Sequence, residues 1–140
     1  RITMSLMNVF ALSQSALVAQ TTRLNFVAEN LANAEVAAGS ADTVYRAKYP
    51  VFKSFINQEL SNSAAKGVRV DGVYEDETAP RKLFDPGHPL ADETGFVYLS
   101  NVNTVEEMAN MMEASRSYQT NVEMMNTAKQ LLMRTLTLGQ

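Results

Sequence analysis

The feature that most constrains this chain is where its helix breakers fall. All four prolines and five of the six glycines lie between Ala32 and Asn103, so both ends are free to run on as helix while the middle is not. Charge divides the chain in the same way. Between Met4 and Leu31 only Arg23 and Glu29 are charged, whereas Ala32 to Asn103 holds seventeen charged residues and Thr104 to Leu138 holds seven. Three segments follow: a helix over 4–33, a middle of short strands and loops over 34–103, and a helix over 104–140 that forms one structural unit with the first.

Periodicity supports both helices. In the first, Phe10, Ser13, Leu17, Gln20, Leu24, Val27 and Leu31 recur at alternating steps of three and four, the seam of a coiled coil, with Ser5 as N-cap. In the second, Met108, Met111, Ser115, Tyr118, Val122, Met125, Lys129, Leu132 and Leu136 repeat that spacing. Asn103 or Thr104 caps it, Glu106 and Glu107 sit in the first turn where the helix dipole favours negative charge, and Gly139 stops it. The two seams match in length. Antiparallel pairing is expected, because the middle segment then leaves and returns at one end.

The middle reads as short antiparallel strands. Tyr45 to Tyr49 alternates large and charged residues, Val68-Arg69-Val70 alternates after Gly67, and Leu83-Phe84 and Phe96 to Leu99 are short apolar runs bounded by turn residues. Asp85-Pro86-Gly87 suits a type II turn, with positive φ at Gly87. Ser61 to Lys66 reads as a loop. The fold class is therefore mainly α with a small β part: long terminal helices paired as an antiparallel coiled coil, and a middle of short antiparallel strands and loops.

Composition excludes several functions. The net charge is −3 and no basic stripe is present, which argues against nucleic acid. No apolar run is long enough to span a bilayer, so direct membrane insertion is not expected. The N-terminus lacks the pattern of a cleavable secretion signal, and Arg1-Ile2-Thr3 ahead of Met4 carries no weight in the fold. Cysteine is absent, which removes disulfides and thiolate metal sites. The lone histidine, His88, lies between Pro86 and Pro89 and reads as part of a turn, with Asp85 and Asp92 as the nearest catalytic or metal partners. No catalytic residue, metal ligand, cofactor or small-molecule substrate is assigned.

Six of the eight methionines fall between Met108 and Met133, a stripe that suits core or inexact neighbours rather than metal. The first helix carries Asn8, Gln14, Ser15, Gln20, Thr21, Thr22, Asn25 and Asn30 with small alanines between them. Uncharged polar and small residues around most of a helix suit burial among other subunits. A weakly charged hairpin in solution has the same pattern, and so does a helical adaptor or chaperone that binds partner helices.

A set of motifs narrows this choice. Ala28-Glu29-Asn30-Leu31-Ala32-Asn33 resembles the motif that ends the first helix of flagellar rod and hook proteins, which share an Asn-Leu-Ala-Asn core. Ala114 to Asn121 (Ala-Ser-Arg-Ser-Tyr-Gln-Thr-Asn) resembles their C-terminal helix motif. Tyr45-Arg46-Ala47-Lys48, Asp85 to Asp92, Asn101-Val102-Asn103, Glu106-Glu107-Met108, Asn126 to Lys129 and the ending Thr135 to Gln140 look like the proximal-rod branch of that family, with Ser100 where proline is usual. The resemblance implies a structural subunit exported through the flagellum's own channel and placed in the periplasmic rod, where it transmits torque. It implies as partners copies of itself, the rod proteins FlgB, FlgF, FlgG and FliE, and the base ring. Its implied interface residues are Phe10, Leu17, Leu24, Val27, Asn30, Leu31, Asn33, Met108, Met111, Tyr118, Val122, Met125, Leu132 and Leu136 along the helices, and Tyr45, Arg46 and Lys48 in the middle segment.

Overall fold

The computed structural model describes residues 2–56 and 66–139. In chain order the elements are α1 (Ile2–Asn33), β1 (Ala37–Ala38), β2 (Lys48–Ile56), β3 (Lys66–Glu75), β4 (Arg81–Phe84), β5 (Phe96–Leu99) and α2 (Thr104–Leu138). In sequence, two long helices thus flank five strands. Helix α1 already includes Ile2, Thr3 and Ser5, so Ser5 is an interior residue and not the expected cap. Helix α2 is capped by Asn103, whose Oδ1 accepts from the Val105 N–H at 3.1 Å and the Glu106 N–H at 3.3 Å. Its last turn closes with the Gly139 N–H donating to the Thr135 carbonyl at 3.1 Å.

The chain forms two compact units, and each helix contributes to both. One comprises Arg23–Pro50 and Val73–Met112. Here Arg23 of α1 reaches Asn110 of α2, and Asn30 of α1 reaches Glu107. Partner numbers fall as α1 numbers rise, so the helices run antiparallel. Ala34, Ala47 and Val102 form the buried core of this unit, with Tyr45 and Tyr49 packed against it. A three-stranded antiparallel sheet in the order β1-β5-β4 completes it. Central β5 buries Val97, while the cross-strand partners Phe84 and Phe96 meet edge to face with centroids 5.2 Å apart.

The other unit comprises Arg1–Thr22, Val51–Gly72 and Glu113–Gln140. Its buried side chains are small: Ser13, Ala19, Ala114 and Ala128. Small residues let backbones approach closely but bury little apolar surface each. Strands β2 and β3 pair as a two-stranded ribbon, and the Val68 N–H donates to Ser15 Oγ at 3.3 Å.

Three details of the middle differ from the sequence reading. The stretch Tyr45 to Ala47 is irregular, and β2 starts only at Lys48. The backbone groups of Ala47 are taken instead by the Asn101 side chain and the Asp76 N–H. Of the loop expected over Ser61 to Lys66, residues 61–65 lie outside the described residues, and Lys66 is the first residue of β3. The Asp85 turn closes with the His88 N–H donating to the Asp85 carbonyl at 3.1 Å, but Gly87 is not at positive φ, so the turn is not type II.

Among the described glycines only Gly95 has positive φ, at 81°. A Cβ there would lie 3.0 Å from Phe84 Cε2 and 3.3 Å from Pro86 Cγ. Gly95→Ala is expected to lower stability by about 1–3 kcal/mol through strain at this φ and crowding of the Phe84 ring. At Gly87 a Cβ meets nothing closer than Asp85 Oδ1 at 3.7 Å, so Gly87→Ala is expected to stay within about 0.5 kcal/mol. Denaturant unfolding of the two variants checks the contrast.

Candidate assembly surface

Asn30 is a polar residue that is 0 % exposed. Its Oδ1 accepts from the Tyr45 hydroxyl at 2.8 Å and from the Lys48 N–H at 2.9 Å. Its Nδ2 donates to the Lys48 carbonyl at 3.0 Å and to Glu107 Oε2 at 3.2 Å. The amide therefore treats Lys48 as a paired strand would, and every donor and acceptor it owns is used. Glu107 is 0 % exposed as well, and its other oxygen accepts from Asn110 Nδ2 at 3.4 Å. The carboxylate lies in the first turn of α2, where unpaired N–H groups and the helix dipole favour negative charge.

Two phenols border this centre. Burial, and then the Glu107 carboxylate beside it, push Tyr49 up to about 12. Burial, and then the Glu29 carboxylate, hold Tyr45 well above the ordinary phenol range. A raised phenol favours the neutral form in the fold, so the contribution of Tyr49 is complete below its unfolded value of 10.0 and is lost as pH rises toward about 12. The stability difference between the wild-type chain and Tyr49→Phe should hold constant below about pH 10 and shrink above it. Denaturation midpoints across that range test the sign.

A second asparagine grips the neighbouring residue. Asn101 Oδ1 accepts from the Ala47 N–H at 2.8 Å, and Asn101 Nδ2 donates to the Asp76 and Thr78 carbonyls, each at 3.0 Å. Ser100, standing where proline is usual in the resembled family, is buried, and its Oγ accepts from the Val102 N–H at 3.2 Å. Arg81 ties β4 to the end of α1, donating to the Ser100 and Ala34 carbonyls and to Glu35. Nothing in the hydrophobic periodicity singles out Glu107 or Asn101. A seven-residue recurrence of small or polar residues (Glu107, Ala114, Asn121, Ala128, Thr135) is the signal that marks the first.

The residues expected on the helix seams fall into three groups. Val27 and Asn30 are buried. Phe10, Leu17, Leu24, Leu31, Asn33, Met111, Val122, Met125 and Leu132 are half-buried, as are Tyr45, Arg46 and Lys48 in the middle segment. Met108, Tyr118 and Leu136 are exposed. Small residues face inward on α2, at Ala114 and Ala128, and much of the large apolar side-chain surface is displaced outward. Met112 is 69 % exposed and Leu138 88 %, with Val105, Met124, Leu131 and Met133 also open to solvent.

Several polar residues on these helices bond within their own helix, while Ser13 Oγ and Gln20 Oε1 are buried without a partner. Ser15, Thr21, Thr22, Thr120, Asn121, Thr135 and Thr137 all donate to carbonyls one turn back in their own helix. These side chains can be dried with little loss of hydrogen bonding, unlike the exposed Glu113, Arg116, Glu123, Lys129 and Arg134 of α2, which need water or a partner. The exposed apolar rows exceed the scattered single residues that a solvated helix normally carries.

No catalytic arrangement emerges at His88. Its Nδ1 accepts from the Leu90 N–H at 3.0 Å, which turns the ring to its own loop. The Asp92 carboxylate accepts from Thr94, Phe96 and Tyr98, and the Thr94 hydroxyl and the backbone bonds hold it below the usual carboxylate range. Among the described residues, no group of three or more His, Cys, Asp or Glu side chains could hold a metal, and no helix is long and apolar enough to cross a membrane.

The profile for the C-terminal region of flagellar basal-body rod FlgEFG proteins matches residues 93–138, which cover β5 and α2. The flagellar basal-body rod protein FlgC of Salmonella typhimurium is 46 % identical over 137 residues, covering 98 % of this chain and 100 % of that protein. The chain belongs to the flagellar basal-body rod protein family. The same protein from Yersinia enterocolitica is 47 % identical, and that from Buchnera aphidicola of Acyrthosiphon pisum 37 %, each covering 98 % of this chain and all of its own length. Asn30 and Asn33 are the two asparagines of the Asn30-Leu31-Ala32-Asn33 run. The first is wholly enclosed, while the second donates from Nδ2 to the Glu29 carbonyl at 2.8 Å and closes the last turn of α1.

Proposed function

We propose that this chain builds the proximal part of the flagellar rod by laying the outer faces of α1 and α2 against copies of itself and against FlgB-, FlgF-, FlgG- and FliE-type neighbours and the base ring. It is a structural subunit of the basal-body rod and serves motility. The observation that carries the packing is the set of exposed apolar side chains along α2 together with threonines on both helices that bond within their own helix. In this reading no bond is made or broken at any side chain. Torque passes through packed helices, and the middle segment, including Tyr45, Arg46 and Lys48, adds contacts around them.

The test is replacement. In a bacterium whose own FlgC-type gene is deleted, this chain is expressed, basal bodies are purified, and rods are imaged while their protein content is measured by mass spectrometry. Rods containing the chain, and restored swimming, are expected. Secretion of the chain with no rod would defeat the structural reading. A chain held in the cytosol on partner proteins would favour a helical adaptor.

A further inference from the structure

We propose that Asn30 and Glu107 lock the register in which α1, α2 and the first residue of β2 meet, and so select the one helix pairing that this chain carries into an assembly. The need for a lock comes from the repeats themselves. Residues at seven-residue intervals are mostly small or polar along both helices: Ser13, Gln20 and Val27 on α1 with Ala34 just past its end, and Glu107, Ala114, Asn121, Ala128 and Thr135 on α2. A slide by a heptad again sets residues of modest size against one another. Packing of that kind distinguishes registers weakly.

The polar centre does distinguish them. A slip of one turn displaces a partner by about 5.4 Å, well past hydrogen-bond reach. It would strand the Asn30 amide, the Glu107 carboxylate and both backbone groups of Lys48, all of which are paired here. Stranding a buried polar group costs more than making its bond gains, so the penalty falls on the wrong registers. A single buried asparagine fixes register in coiled coils on the same logic. The carboxylate also has one favourable place on α2, the first turn, since the dipole's influence fades beyond it. Asn30 in turn needs both a donor and an acceptor to hold the N–H and carbonyl of Lys48 at once.

Exchanging the charge tests this in the full-length chain. Asn30→Asp sets a second carboxylate against Glu107 and removes the donor. Adding Glu107→Gln returns a donor from the opposite helix. Amide hydrogen exchange at Lys48 and Ala47 should speed up at least about tenfold in Asn30→Asp, with far-turn amides of α2 such as Ala128 little changed. The double variant should recover part of that protection, because the Lys48 carbonyl still lacks the donor that Asn30 supplied, whereas a general loss of stability would move all amides together. Swimming in the gene-replacement strain should be lost in Asn30→Asp and regained in the double variant. Wild-type exchange in Asn30→Asp, or a double variant no better than Asn30→Asp, would overturn the lock. The swimming arm alone rests on the rod reading. If the wild-type chain builds no rod in that strain, the rod reading fails and exchange still decides the register claim.

Discussion

Replacing Asn101 with leucine should remove about 2–5 kcal/mol of stability, a large share of what a domain of this size possesses. The side chain makes three hydrogen bonds, to the Ala47 N–H and to the carbonyls of Asp76 and Thr78. Ala47 is fully buried, so its N–H has no water to turn to when Asn101 Oδ1 is gone. Leucine has similar bulk and adds apolar contact, yet it satisfies none of the three groups. The loss should therefore exceed that of a surface substitution by several-fold. Thr120→Val is the control, because the exposed Thr120 donates from Oγ1 to the Arg116 carbonyl of its own helix. That carbonyl keeps its place in the helix ladder, and the change should stay within about 0.5–1 kcal/mol. Urea unfolding of both variants gives the comparison, and equal midpoints would mean that Asn101 does not hold the middle segment.

Much of the fold was legible because helices advertise themselves over long windows. The uninterrupted ends and the three-four spacing gave both helices, and Asn103 with two acidic residues behind it gave the start of α2. Legibility stopped where tertiary pairing decides. Ala37 and Ala38 have no strand preference of their own, and they form β1 because Leu99 and Tyr98 stand opposite. Tyr45 to Ala47 has strand-like alternation but spends its hydrogen bonds on the side chains of Asn30 and Asn101. The turn after Phe84 shows the same limit. Proline and glycine were read correctly as a turn, yet positive φ belongs to Gly95, several residues later, where the chain must clear Phe84 and Pro86.

The seams show a further limit of reading by hydrophobicity. Of the large residues that the three-four spacing picks on α2, Met111, Val122, Met125 and Leu132 are half-buried, while Met108, Tyr118 and Leu136 are exposed. The buried positions of α2 hold small residues, Ala114 and Ala128, and in the same seven-residue frame a glutamate at position 107. In an isolated chain the larger side chains are left over. In a polymer subunit they have somewhere to go, which makes an apparently inverted helix consistent with its function.

Leu131→Asp should leave the folded chain nearly unchanged yet reduce its entry into rods by about tenfold or more. Leu131 is 48 % exposed in α2, so an aspartate there stays in water while the subunit is alone. Once a neighbouring helix covers that face, the carboxylate is buried without a partner, at a cost greater than the gain from burying leucine, about 1.5–3 kcal/mol. Each subunit in the polymer repeats that cost. Val27→Asp is the counterpart on the inner face. Val27 is only 3 % exposed, so its carboxylate would be buried within the chain itself, and loss of helical structure should precede any failure to assemble. Circular dichroism of the purified chains, secreted protein and images of basal bodies together separate the two. A folded, secreted Leu131→Asp chain that still builds normal rods would mean that this face remains in solvent after assembly. The outer rows would then need another occupant, or none.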